Sequence, residues 1–485
     1  MEQMSGLDAS FLYLETPAMH MHVCATIVFD PATVPGGWSF AHTRDVLAER
    51  VSGLPQFRRR LASVPLGLHH PVWVDEPGFD LDYHLRRIGC PAPGGTKELA
   101  EVTADIAGRK LDRTKPLWEA WVIEGLAGGH HALVLKMHHA TIDGVSGANL
   151  MMHLFDLTPD PAPLETQPWR PEPAPSETTL VRYALGEWAR HPMRLARVLP
   201  QTARAVAGLV AIRRGRESGD GMPTPFTAPR LAFNGALTAH RTVALTNVPL
   251  AEVKAVKNAL GCTLNDVVLA VVAGALRQWL QGRGELPAAP LLAIVPVSVH
   301  GEPASGPGVN RISSLFTSLA TDIDDPVERL RAISETNRNA KEEHNAVGAE
   351  MLQGWAEFAA PLTFSLAARI YTGIGLADRH PVVYNLVVSN VPGPPMPLYL
   401  AGAEIVGLYP LGPIFEGIGL NVTVLSYRDT VGFGLIACRE QMPDLDEVAA
   451  AVAGALAELA AAAGLERPAK PVTRAQSRRR TAKTA

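Results

Sequence analysis

Cysteine is scarce in this 485-residue chain, and its four copies, Cys24, Cys90, Cys262 and Cys438, lie far apart in no zinc or redox spacing. Inert buried thiols in a reducing compartment are therefore expected. Lysine is scarce too, nine residues against 35 arginines, a balance that fits a high-GC bacterial genome. No long apolar run is free of charge. The most apolar stretch, 448–465, is mostly alanine, contains Glu458 and follows Asp444, Asp446 and Glu447. Acids before such a run suit a helix N-terminus, so an amphipathic C-terminal helix is expected there and not a membrane span. The start, MEQMSGLDASFLYLE, lacks a cationic region followed by an apolar one, and no signal peptide is expected. Also missing are a GxSxG nucleophile elbow, a P-loop and a GxGxxG that opens a helix after a strand.

The chain is long for one hydrophobic core, and its 47% apolar and 19% charged content is that of an ordinary globular protein. Two domains are expected. The net charge of −4 conceals an asymmetry: residues 467–485 carry seven basic residues and no acid, which leaves 37 basic against 48 acidic residues over 1–466, a net of −11. An acidic body argues against a nucleic-acid-binding protein, and the tail 467–485 reads as basic and disordered.

Residues 159–175, PDPAPLETQPWRPEPAP, place seven prolines in seventeen positions, which neither a helix interior nor a central strand accommodates. This is an extended linker. Residues 180–216 then read as helical, broken near Pro192 and Pro200, with eight arginines and one acid over 182–216. Arg190, Arg194 and Arg197 share one face, and Leu185, Trp188, Leu195, Val198 and Leu199 form an apolar stripe. Two readings stay open: a helical pair packed on the acidic body, which is the commoner arrangement, or a segment lying on an anionic lipid surface.

Periodicity predicts strands at His22–Phe29, Ala132–Met137, Leu291–Val299, Ile312–Ala320, Val382–Ser389, Gly419–Tyr427 and Val431–Cys438, and helices at Gly147–Leu157, Ala251–Leu260 and Thr263–Leu280. Strand and helix alternate on both sides of the bridge, the pattern of two α/β domains with mixed sheets. The boundaries that follow are 1–158, a linker and basic helical bridge at 159–230, 231–466, and the tail 467–485.

The densest chemical constellation is Met137-His138-His139-Ala140-Thr141-Ile142-Asp143-Gly144. It follows an apolar strand and precedes a short helix, a place where side chains protrude into a cavity. A neutral histidine is a natural general base for a hydroxyl or amine, an acid four residues on can orient a ring or brace the turn, and Gly144 lets the backbone bend tightly. Adjacent histidines at a strand end are also often just buried and hydrogen-bonded, as His130-His131 would be. A metal held by His139 and Asp143 ranks well below the general-base reading, because spacing suggests no third ligand.

HHATIDG resembles the HHxxxDG motif of the bacterial wax ester synthase/acyl-CoA:diacylglycerol acyltransferases, within the larger group of CoA-dependent acyltransferases that includes condensation domains. LDASFLYLETPAMHMH is similar to the family's opening, with Asp8, Phe11, Glu15, Met21 and His22 in place; Pro116-Leu117-Trp118 matches its PLW element, Asn265-Asp266 its Asn-Asp element, and Asn390-Val391-Pro392-Gly393-Pro394 its NVPGP element. The order and spacing run from about residue 4 to 465. One departure is His300 in PVSVH, where relatives often carry arginine.

The resemblance implies two chloramphenicol-acetyltransferase-like α/β domains with a tunnel between them. It implies His139 as general base, Asp143 as a brace, and His138 and Gly144 as shapers of the turn. Pro116, Leu117, Trp118, Asn265 and Asp266 would be architectural, although plain core packing is as good a reading of Trp118, and Asn390, Pro392 and Gly393 would form a rigid turn beside the acyl channel. The expected reaction is transfer from acyl-CoA, a co-substrate and not a resident cofactor, to diacylglycerol or a fatty alcohol, with no covalent acyl-enzyme and no metal. For the oxyanion, Ser389, Asn421 and Thr423 are candidates; each is more often an ordinary strand polar group. The expected place is the cytoplasm, with peripheral contact at the inner membrane or at lipid droplets. A polyketide-associated or condensation-type acyltransferase and a non-catalytic lipid-droplet protein are the alternatives.

Overall fold

The computed structural model describes residues 1–141, 147–161, 169–214, 223–298, 312–347 and 361–465. Asp143, Gly144, His300 and the basic tail lie outside the described residues, as do the side chains of Arg194, Leu195, Arg197 and Val198. In chain order the elements are β1 (Glu2–Gln3), α1 (Gly6–Leu14), β2 (His22–Asp30), α2 (Phe40–Ser52), β3 (Arg59–Ala62), β4 (Val72–Asp75), α3 (Leu81–His84), β5 (Leu85–Gly89), α4 (Thr96–Gly108), β6 (Trp118–Glu124) and β7 (His131–His138). Next come α5 (Gly147–Leu154), α6 (Glu177–Arg214), β8 (Arg241–Pro249), α7 (Leu250–Leu260), α8 (Leu264–Arg283), β9 (Leu292–Ser298), β10 (Ile312–Ser318) and α9 (Pro326–Val347). The last are α10 (Pro361–Gly373), β11 (Leu386–Val391), β12 (Tyr399–Leu400), β13 (Ala403–Leu411), β14 (Leu420–Tyr427), β15 (Thr430–Cys438) and α11 (Leu445–Ala462).

Two six-stranded mixed sheets dominate, in the orders β12-β13-β2-β7-β6-β5 and β10-β9-β11-β14-β15-β8. In the first, only β5 and β6 run parallel; in the second, β11 is parallel to both β9 and β14. β12 and β13 come from beyond the bridge, yet they complete the first sheet through the pairing of β13 with β2. The sheets meet where β13 crosses β15. There a Cβ on Gly432 or Gly434 would overlap the carbonyl oxygens of Leu408 and Pro410, so these positions require glycine.

Central β7 is buried along nearly its whole length between β2 and β6. Its alternation sends Leu133, Leu135 and Met137 into one core and Val134, Lys136 and His138 to the other face. Buried Lys136 donates to the carbonyls of Ile106 and Arg109 at 3.0 and 2.9 Å and pairs with Glu119 at 3.1 Å. Its charge thus sits at the C-terminal end of α4, where the helix dipole favours a cation.

The second sheet is backed by α8 and α11. Thr263 and Asp266 form a reciprocal capping box that starts α8, and Gly284 ends it in the left-handed conformation. The apolar 448–465 stretch is core: Val448, Val452, Leu456 and Leu459 of α11 are buried, and Ala455 meets Gly274 of α8 closely. Among the described residues no single helix is long and apolar enough to cross a membrane.

Three expectations are corrected. The helix expected to break near Pro192 and Pro200 runs from Glu177 to Arg214 with both prolines inside it. A proline removes one N–H, and turns on either side of it hold the element together. The apolar stripe is not its packed face: Leu185, Trp188 and Leu199 are exposed, while Leu180, Ala184 and Glu187 are buried. The strand expected at Val382–Ser389 begins later, at Leu386. Ahead of it, Asn385 replaces a ladder bond with side-chain bonds, accepting from Leu292 N–H at 2.9 Å and donating to Pro229 O at 2.6 Å.

Candidate active site

The end of β7 presents two histidines to different surroundings. His138 lies opposite His22 of β2. Its N–H donates to Leu117 O at 2.9 Å, its carbonyl accepts from Thr141 Oγ1 at 2.7 Å, and its Nδ1 accepts from Ala140 N–H at 3.1 Å. The proton of the neutral ring therefore sits on Nε2, which lies 3.6 Å from Glu15 Oε2. Glu15 caps the C-terminus of α1 and accepts from Arg113 Nε at 2.8 Å; Arg113 also donates to Leu12 O at 2.6 Å. Burial pushes the Glu15 carboxyl up, but His138 and the Arg113 guanidinium outweigh it and hold its pKa at about 2. Burial pushes His138 below the usual imidazole range, against the pull of Glu15.

His139 is only half-buried. Its backbone N–H donates to Met21 O at 2.7 Å, and its ring lies 4.2 Å from that of Phe11 on α1. Desolvation, reinforced by His138 and opposed by the ring's contact with its own carbonyl oxygen, lowers its pKa to about 4. At neutral pH it is an unprotonated imidazole, the form that accepts a proton. Behind it, His20 and His22 stack at 5.4 Å, and burial drives the His22 pKa well down. Among the described residues no group of three or more His, Cys, Asp or Glu side chains is placed to hold a metal ion.

One sequence element adjoins this end of the first sheet, and two lie on the second. The PLW element is tied to His138 through Leu117 O; Trp118 is buried, donates from Nε1 to Phe57 O at 2.8 Å and stacks on His84 at 4.5 Å. On the second sheet, Asn390 Nδ2 meets Asn265 Oδ1 at 3.5 Å, which joins the NVPGP and Asn-Asp elements. Asp266 accepts from Ser334 and Asn337 of α9 at 3.1 and 2.7 Å. Gly393 has no room for a Cβ against Ser426 O.

Ser389 and Thr423 are register partners on adjacent parallel strands, and Asn421, two residues before Thr423, shares their face. Thr423 commits its hydroxyl hydrogen to Asn421 Oδ1 at 2.7 Å, while Asn421 Nδ2 donates to Pro413 O at 2.9 Å and crowds Gly412. β13 leaves the first sheet at Leu411, opposite Cys24, so Asn421 lies toward the His22–His138 end. Arg113 was not singled out from sequence, and Glu15 appeared only as part of the opening element. The available signal was a buried-type acid at the end of α1 and an arginine three residues before PLW, far apart in the chain.

Two mixed six-stranded sheets packed through β13 and β15 make up a two-domain fold that is shared with condensation domains. The starter condensation domain of rhizomide synthetase has this fold: its structure superposes with a TM-score of 0.52 over 96% of this chain and 94% of its own, at 12% identity. The wax ester synthase/diacylglycerol acyltransferase catalytic-domain model matches residues 4–268, and the C-terminal-domain model of the same family matches 309–460. The chain belongs to that family and is an acyltransferase of its fold. A candidate diacylglycerol O-acyltransferase of Mycobacterium tuberculosis is 44% identical over 462 residues, covering 95% of this chain and 90% of the relative. The wax ester synthase/diacylglycerol acyltransferase of Marinobacter aquaeolei VT8 has a TM-score of 0.67 and 29% identity, covering 96% of this chain and all of the other.

Proposed function

We propose that this protein transfers a long-chain acyl group from acyl-CoA to the free hydroxyl of diacylglycerol, making triacylglycerol, and accepts fatty alcohols in the same way. The observation that carries the reading is His139: an unprotonated imidazole at a strand end, beside a second histidine whose Nε2 faces the Glu15–Arg113 pair. His139 takes the acceptor hydroxyl proton as the oxygen attacks the thioester carbonyl. The C–S bond then breaks, and His139 returns the proton to the departing CoA thiolate. No acyl-enzyme forms on this route.

Ser389 and the second N–H of Asn421 are the donors assigned to the oxyanion; Thr423 holds Asn421 in place. The HHxxxDG resemblance gives Asp143 a bracing role and Gly144 a shaping one; both lie outside the described residues. Base catalysis contributes typically about 10²–10⁴-fold, so alignment of both substrates between the sheets supplies much of the remainder. The 44% identity to a relative named for diacylglycerol favours that acceptor. CoA release from palmitoyl-CoA, measured with diacylglycerol, with hexadecanol and with no acceptor, tests the assignment. Acceptor-dependent release that vanishes in His139→Ala supports it. Near-normal release by that variant overturns the mechanism, and no release with any acceptor points to a non-catalytic role.

A further inference from the structure

We propose that Phe11 of α1 is a positioning residue for His139: its ring covers one side of the imidazole, sets the orientation of that ring and keeps water away from it. The proposal deepens the acyltransferase reading and rests on His139 as its base. The two ring centroids lie 4.2 Å apart at an interplanar angle of 37°. Aromatic pairs usually sit roughly 4.5–7 Å apart, so this is close contact.

A catalytic base is ordinarily aimed by a hydrogen bond to the nitrogen that does not react. His139 Nδ1 is buried, and among the described residues no side chain hydrogen-bonds to it. The backbone N–H of His139 is tied to Met21 O, which fixes the main chain and leaves rotation about the side-chain bonds open. Packing must therefore set the ring, and Phe11 is packed on it.

The helix that carries Phe11 is a firm mount. Ser5 caps its first turn by accepting from Asp8 N–H at 3.1 Å, and Arg113 donates to Leu12 O at 2.6 Å near its end. Ala9, Leu12 and Tyr13 share a buried cluster with Ala140, the residue after His139, so helix and turn are packed as one unit. Phe11 and Glu15 stand four apart, on one side of α1. That spacing brings Phe11 to His139 and Glu15 to His138.

The titratable groups of the elements around the ring are His138 on β7, Asp8 and Glu15 on α1, Arg113 ahead of β6, and His20 and His22 on the chain entering β2. Phe11 adds no charge to this set, so its loss changes water access and leaves every charge in place. Desolvation is the largest influence on His139 and holds its pKa at about 4, whereas attraction of a cation to a phenyl face would act the other way. Exclusion of water is thus the contribution expected of the ring. A phenylalanine that served only the stability of α1 would change the melting temperature and leave the protonation of His139 where it is.

The test compares Phe11→Ala with Phe11→Leu, which restores apolar cover without the ring. Two profiles are recorded against pH: kcat/KM with palmitoyl-CoA and hexadecanol, and the NMR titration of His139 in protein carrying isotope-labelled histidine, its signal identified by its absence from His139→Ala. In wild type both should break near pH 4. In Phe11→Ala they should move up by about one unit or more, toward the ordinary histidine value of about 6.5, with kcat down roughly tenfold. In Phe11→Leu they should stay close to wild type. If alanine prevents folding, Phe11→Val carries the same comparison. Profiles of Phe11→Ala that coincide with wild type overturn the proposal, whatever the change in rate. So does a shift in Phe11→Leu as large as that in Phe11→Ala. The ring titration needs no turnover: a wild type that releases no CoA with any acceptor defeats the acyltransferase reading, while the titration still decides on Phe11.

Discussion

The two sides of the β7 terminus are built from adjacent histidines in opposite surroundings. On the His138 side Nδ1 accepts from a backbone N–H and the carbonyl from Thr141, while Nε2 faces Glu15 at 3.6 Å and Glu15 is held by Arg113. On the His139 side the ring is held through its backbone and by the face of Phe11. Catalytic precision in a site of this kind comes from immobilising one residue so that its neighbour is aimed. The contrast teaches that the two members of an HH pair can meet different surroundings, a division that composition alone does not reveal.

The largest expected effect separates the two roles. His139→Ala should lower kcat/KM by roughly 10²–10⁴-fold while the melting temperature stays within a few degrees of wild type. A comparable loss of stability would merge the two sides and break the contrast. Glu15→Gln attacks the fixture. It removes the carboxylate from between Arg113 and His138 and should cost about 2–3 kcal/mol of stability, read by denaturant unfolding, with a smaller fall in kcat. Unchanged stability would show that Glu15 is not part of the framework.

The pH dependence sharpens the same division. His139 must be unprotonated, so kcat/KM should hold as pH falls through the ordinary histidine range and decline only near pH 4. His139 and His22 have folded pKa values below those of the unfolded chain. Their contribution to stability is therefore complete above about pH 6.5 and is lost as pH falls toward the folded values. Glu15 behaves likewise one step lower, losing its contribution between about 4.5 and 2. Melting temperature against pH should show loss beginning below 6.5, and a flat profile down to pH 4 would contradict the burial of the histidines. The smallest effect is expected from Trp118→Phe. It removes the bond to Phe57 O and should cost about 1 kcal/mol without moving the acid limb of activity.

Much of the scaffold was legible in the sequence because it is local. Alternation located β7 and β14 to within one or two residues, and helical periodicity placed the start of α8 within one residue. HHATIDG stood out because a polar run follows an apolar strand. The Glu15–Arg113–His138 contact did not, since it joins three segments spread over more than 120 positions and is created only when α1 folds over the end of the first sheet. The apolar stripe on α6 was visible, but its destination was not: periodicity says which residues share a face and is silent on what that face meets.

The sequence by itself determined the family, the order of strands and helices, and the place of the histidine pair at the end of a strand, because hydrophobic period and short motifs act over a few residues. Only the tertiary structure decided that β12 and β13 close the first sheet, that α8 is buried while the equally apolar α10 is exposed, and that His139 is held neutral. Each of these depends on which distant segment removes water from a surface, and desolvation is a property of the folded neighbourhood.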